Sequence, residues 1–193
     1  MLVDERACLG LHARLTVTAV DGAWFDANRR DAAAMLAPPA EVVHGRCEGD
    51  NITCTAGLTA FAAALVWSGL QDQAANLGVT TATYLTPLYG ALGSGTGTPA
   101  IGDTALFSEL GRETVGTGAS SPATPTISAL ATWLFYFPSP ASSWTVTEAG
   151  LFANAGSTAG SGTLLDHYVL GSPVVVASPD SAILQVALSV AGS

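Results

Sequence analysis

Five runs of apolar, β-branched and aromatic residues follow one another through the second half of the chain, and this succession constrains the fold more than any other feature. They are TISALATWLFYF (126–137), SWTVTEAGLFAN (143–154), GTLLDHYVL (162–170), PVVVA (173–177) and AILQVALSV (182–190). Gly, Pro and Ser separate each run from the next, as turns between short strands require. In the last run Leu184, Val186, Leu188 and Val190 share one face, and Ile183, Gln185, Ala187 and Ser189 share the other. That period of two is the mark of a strand with one packed face. Near the N-terminus LHARLTVTA (11–19) alternates in the same way, with Leu11, Ala13, Leu15, Val17 and Ala19 opposite His12, Arg14, Thr16 and Thr18. The sequence therefore predicts a mainly β domain, an antiparallel β-sandwich or barrel-like fold.

One principal α-helix is expected beside the strands. Thr53 or Thr55 can cap it, and Leu58, Phe61, Ala62, Leu65 and Gly69 fall at the spacing of one helical face, so the helix is placed at 56–75. The uncharged stretch 52–70 nearly reaches the length of a membrane span. Its Thr, Ser and Gly content and its one-sided apolar positions favour a buried helix. GVTTATYLTPLYGALG (78–93) reads as a strand running into a glycine-rich loop at 93–103. The segment 21–49 mixes Asp-Gly, a short helical piece at 28–36 and the Pro38-Pro39 break, and reads as an insertion or interaction segment. At 193 residues the chain is expected to form a single domain over 1–193.

Charge narrows the function classes. Only 11% of the residues are charged and 49% are hydrophobic, whereas a soluble domain usually carries about a quarter charged residues. All six basic residues are arginine, and fifteen acids bring the net charge to −9. Phosphate backbones need a clustered basic face, so a nucleic-acid partner is not expected. Cys8, Cys47 and Cys54 form an odd set without a CxxC pair, which suggests thiols rather than a disulfide framework. Asp4 and Glu5 stand where a signal peptide would carry positive charge, so export by that route is not expected.

Several residue groups suggest chemistry, and each has a plainer reading. Gly93, Gly95 and Gly97 resemble a phosphate cradle, but the chain has no lysine for a P-loop and no βαβ context for a dinucleotide fingerprint. A strand-to-strand connection is the better reading, and no cofactor is expected. His44, Cys47 and Cys54 offer imidazole and thiolates for zinc but no clear fourth ligand, so no metal site is assigned. Asp166 and His167 lack a nucleophile elbow, and alternation sends them to opposite faces. Asp103, Glu109, Glu113 and Glu148 could supply the paired carboxylates of glycoside chemistry, with Trp133, Tyr136, Trp144 and Phe152 as a sugar platform. At strand spacing, aromatics more often pack in a core. Catalytic residues are not assigned.

In SWTVTEAGLF, alternation groups Trp144, Val146, Glu148, Gly150 and Phe152, which places a carboxylate among large apolar side chains. Such a group needs a partner or a proton. Arg112, the only arginine or lysine in the second half of the chain, is the expected partner, giving a structural Arg112–Glu148 ion pair.

Taken in order, ALGSGTGTPAIGDTAL (91–106), LGRETV, WLFYF, WTVTEAGLFANA and GTLLDHYVLGSPVVVASPDSAILQVALSV resemble a module recurrent in virion proteins of tailed bacteriophages, of the head-decoration, minor tail or tail-fibre type. The resemblance is clearest over 91–190, and the segment 21–49 departs from it. It implies a non-enzymatic structural protein, either a capsid decoration (cement) subunit or a tail-associated subunit. Its partners would be major capsid or tail proteins and further copies of itself in a homo-oligomer, with no membrane. Its place would be the virion, assembled in the host cytoplasm. A receptor- or carbohydrate-binding tail-fibre or tip module is the alternative. The family has no agreed catalytic residue, and none is carried over. Few surface charges in a chain rich in Thr and Ala suit a subunit packed among many copies.

Overall fold

The computed structural model describes residues 9–55, 57–58, 87–116, 130–153 and 155–192. These build a mainly β fold. Eight strands run β1 (Leu9–Val20), β2 (Val43–Thr53), β3 (Pro87–Gly93), β4 (Glu109–Thr114), β5 (Leu130–Phe137), β6 (Trp144–Ala153), β7 (Thr163–Val176) and β8 (Ser181–Gly192). They form one sheet in the order β4-β3-β6-β7-β2-β1-β8-β5, and every neighbouring pair is antiparallel. The sheet curls so that its halves, β4-β3-β6-β7 and β2-β1-β8-β5, face each other. Its two edge strands meet where Val115 bridges to Phe135 and the Gly116 N–H donates to the Leu134 carbonyl at 3.0 Å. The result is a barrel-like closure that covers part of each edge strand's hydrogen-bonding groups.

Alternation fills the interior. Leu15, Val17 and Ala19 of β1, Leu92 of β3, Phe135 and Phe137 of β5, Ala149 and Leu151 of β6, and Leu184 and Val186 of β8 belong to one buried core. Gly90 of β3 lies so close to Phe135 and Leu184 in the opposite half that an added Cβ would come within 2.5 Å of the phenyl ring. Only glycine lets the halves approach there.

The outer face of β1-β8-β5 is covered by two short helices, α1 (Gly22–Asn28) and α2 (Ala32–Leu36). Asp21 caps the first, accepting from the Trp24 N–H at 2.8 Å, and Asp31 caps the second, accepting from the Ala33 and Ala34 N–H groups at 2.9 and 3.1 Å. Phe25 and Met35 thereby pack on Val20, Leu134 and Ile183. The helical piece expected at 28–36 is confined to α2, and α1, which ends at Asn28, was not anticipated. The segment 21–49, read as an insertion, supplies both helices, a 3-10 turn (Ala40–Val42) and the beginning of β2, which lies between β1 and β7.

Three expected strands recur almost unchanged as β1, β6 and β8, and β5 covers the described part of another. β7 corrects the expectation of two strands at 162–170 and 173–177. Gly171, Ser172 and Pro173 form a bulge within one continuous strand, opposite a register shift between Val146 and Glu148 of β6. β2 and β4 were not anticipated. Most of the helix expected at 56–75 lies outside the described residues. At its start Thr55, Gly57 and Leu58 are helical, with the Leu58 N–H donating to the Cys54 carbonyl at 3.0 Å. Among the described residues no helix is long and apolar enough to cross a membrane.

Candidate functional site: a buried carboxylate–imidazole chain under the glycine-rich loop

β3 and β4 are joined by the loop 94–108, which lies over the outer face of β3, β6 and β7. Beneath it the register shift after Val146 takes Glu148 out of the interior, so that Val146 packs in the barrel core while Glu148 points outward. Bulges re-aim side chains in this way. Glu148 lies opposite Gly93 across β3, and Gly150 lies opposite His167 across β7, which makes Glu148 and His167 diagonal neighbours on one face.

Both side chains are fully buried, at 0% exposure, so their hydrogen bonds decide whether the arrangement is tolerable. Glu148 Oε1 accepts from the Gly95 N–H at 2.9 Å and the Ser108 N–H at 2.8 Å. Oε2 accepts from the Phe107 N–H at 3.1 Å and lies 2.9 Å from His167 Nε2. The other imidazole nitrogen, Nδ1, is 2.7 Å from Asp103 Oδ2, which also accepts from the Ala100 N–H at 2.9 Å. Thr147 Oγ1 donates to the Gly95 carbonyl at 2.7 Å and so fixes the loop's first turn. One carboxylate therefore gathers both ends of the loop, and one imidazole ties down its middle.

The glycines follow from this geometry. A Cβ on Gly93 would come within 2.5 Å of Glu148 Oε1, one on Gly95 would overlap the same oxygen and Phe107, and one on Gly97 would meet the Phe107 ring at 2.6 Å. The GxGxG pattern leaves room for a carboxylate and a phenyl ring belonging to the protein itself.

Burial alone would raise the Glu148 carboxyl, but the hydrogen bonds from His167 and from the Ser108, Phe107 and Gly95 backbone hold it below the usual glutamate value. Burial works against charge on His167, yet the bonds to Glu148 and Asp103 and the two negative charges raise its pKa above the ordinary one. The Phe107 ring packs tilted against the imidazole, centroids 4.8 Å apart. The arrangement is an imidazole with a carboxylate oxygen at each ring nitrogen.

The expected Arg112–Glu148 pair does not form. Glu148 takes His167 and three backbone N–H groups as partners, while Arg112 on β4 is separated from β6 by β3. Its guanidinium forks onto Glu109, Nε to Oε1 and Nη2 to Oε2 both at 2.6 Å. Nη1 donates to the Ser161 carbonyl at 2.8 Å in the β6–β7 turn, and the group stacks on Phe152 at 4.5 Å. Arg112 thus pins β4 to a neighbouring turn in the bidentate geometry that suits arginine.

The other sequence candidates are dispersed. Asp103 and Glu148 are brought together, but on opposite sides of an imidazole. A hydrolase triad leaves one imidazole nitrogen for the nucleophile, and here both nitrogens face carboxylates. Asp166 faces Leu151 across β6 while His167 faces Gly150, as alternation required. Phe152 is buried, Tyr136 packs edge-on against Phe25, and Trp144 packs against Phe137 and the barrel core, so these aromatics are structural. Trp133 also lies against the core. His44 is 2.8 Å from Asp180, which raises its pKa. Cys47 accepts from the Ser172 N–H at 3.2 Å, and Cys54 is buried at the end of β2 beside Leu106 and Phe152. Cys8 lies outside the described residues.

Sequence reasoning singled out Glu148 but missed Asp103–His167 as its support. The two side chains share a face only through the β6 register shift after Val146, for which residue type gave no signal. No protein-family model matches the chain, and no curated protein is significantly similar to it.

Proposed function

We propose that the chain is a structural subunit of a tailed-bacteriophage particle, working through protein–protein interfaces rather than catalysis. The observation that carries the reading is where the ionisable side chains go. Glu148, His167, Asp103, Arg112 and Glu109, the residues that chemistry would call on, are bound to one another or to backbone groups inside the fold. The sequence is otherwise poor in charge, which favours close packing against other subunits over life as an isolated monomer. The resemblance over 91–190 names the class, either a capsid decoration subunit or a tail-associated one.

Quantitative mass spectrometry of purified particles tests this. The chain should be present in a fixed ratio to the major capsid protein, at high copy for a decoration subunit and low copy for a tail component. Recovery only in the particle-free lysate would overturn the proposal.

A further inference from the structure

We propose that the middle of the loop 94–108 is a strap held shut by a doubly protonated His167, and that it loosens from mildly acidic to alkaline solution, so that pH governs how Ile101 is presented. This goes beyond the virion reading and does not depend on it.

The geometry makes the proton count matter. Both imidazole nitrogens lie within hydrogen-bond distance of a carboxylate oxygen, 2.7 Å to Asp103 and 2.9 Å to Glu148. Only the imidazolium donates on both sides. When one proton leaves, a nitrogen lone pair faces a carboxylate oxygen and that contact turns repulsive. The two ends of the chain are not equivalent. Glu148 keeps three backbone donors and is fully buried, whereas Asp103 rides on the loop with its side chain 17% exposed. The Asp103 arm is therefore the one that releases. Ile101, two residues before Asp103 in the loop, is already 56% exposed.

The surrounding charges do not compete. On β6 the facing group is Glu148, and from the loop it is Asp103. Asp166, on β7 itself, points to the opposite face. The Cys54 thiol at the end of β2 is pushed up to about 11, by burial first and then by Asp166 and Asp103, and stays protonated over the relevant range. Arg112 of β4, in the same cross-strand row beyond Ala91 and Gly150, is neutralised by Glu109. β3 presents Gly93, which carries no charge. With the latched pKa of His167 raised, the strap is fully fastened below the ordinary histidine value of about 6.5 and weakens as pH rises through the raised one.

Amide hydrogen exchange of the full chain, corrected for intrinsic exchange, tests this at about pH 5.5 and about pH 9. Protection of Ala100 and Asp103 should fall severalfold at the higher pH, while Gly95, Phe107 and Ser108, held by Glu148, and the amides of β1 and β8 keep theirs. Nitrogen NMR should show both His167 ring nitrogens protonated at the lower pH. Asp103→Asn, a change on the loop that leaves the sheet untouched, should abolish the pH response. Loop protection that stays constant while His167 titrates, a neutral His167 at the lower pH, or a full response in Asp103→Asn would each overturn the proposal.

Discussion

At the scale of single residues, Glu148 ties the glycine-rich loop to the sheet. It is fully buried and has four polar partners, the His167 ring and three backbone N–H groups, and its removal leaves all four without that acceptor at once. Glu148→Ala should destabilise the fold by about 3–5 kcal/mol, the usual cost of breaking a buried ion pair. Glu148→Gln, which keeps an acceptor, should cost less, and denaturant unfolding measures both. The same group sets a pH window. The lowered Glu148 pKa contributes stability that is present above the unfolded value of about 4.3 and is lost as pH falls through the folded one. The raised His167 pKa contributes stability that is present below about 6.5 and is lost as pH rises through the folded one. Unfolding free energy should therefore peak between those limits, and His167→Gln should flatten the alkaline side. That Glu148 needed a partner was legible from its apolar surroundings. Which partner it takes was not, because the β6 register shift after Val146 turns it away from Trp144 and Val146 toward His167, and a bulge leaves little trace in residue type.

At the scale of elements, strands with a clean period of two were readable and strands without it were not. β1, β6 and β8 announce themselves by alternation. β2, VHGRCEGDNIT, carries two glycines, two acids and an asparagine, all poor strand formers. It is a strand because it lies between β1 and β7, whose edges supply its hydrogen bonds, so tertiary context overrides its propensity. β4 is short and carries Arg112 and Glu109, whose pairing was invisible without its neighbours. The break read at Gly171-Ser172-Pro173 has the right residues for a turn, yet the chain absorbs it as a bulge. Helices α1 and α2 are too short to be stable alone and depend on the sheet face they cover. Phe25→Ala should accordingly cost about 3–5 kcal/mol. It should also expose Tyr136, which a rise in tyrosine solvent accessibility by fluorescence or chemical modification would register.

At the scale of the whole molecule, β content and punctuation foretold the architecture. One curled antiparallel sheet encloses an apolar core, and a glycine-rich connection lies across its outside. The glycines that first suggest a phosphate cradle instead make room for Glu148 and Phe107, and Glu148, His167, Asp103, Arg112 and Glu109 hold loops and strands together. What remains outward is mostly uncharged, which is the basis for placing the chain in an assembly. The most direct measurement is a side-chain-resolution reconstruction of the phage particle. The account predicts the eight-stranded barrel at symmetry-related positions, packed against capsid or tail subunits. A complete map in which every ordered density belongs to other chains would contradict it.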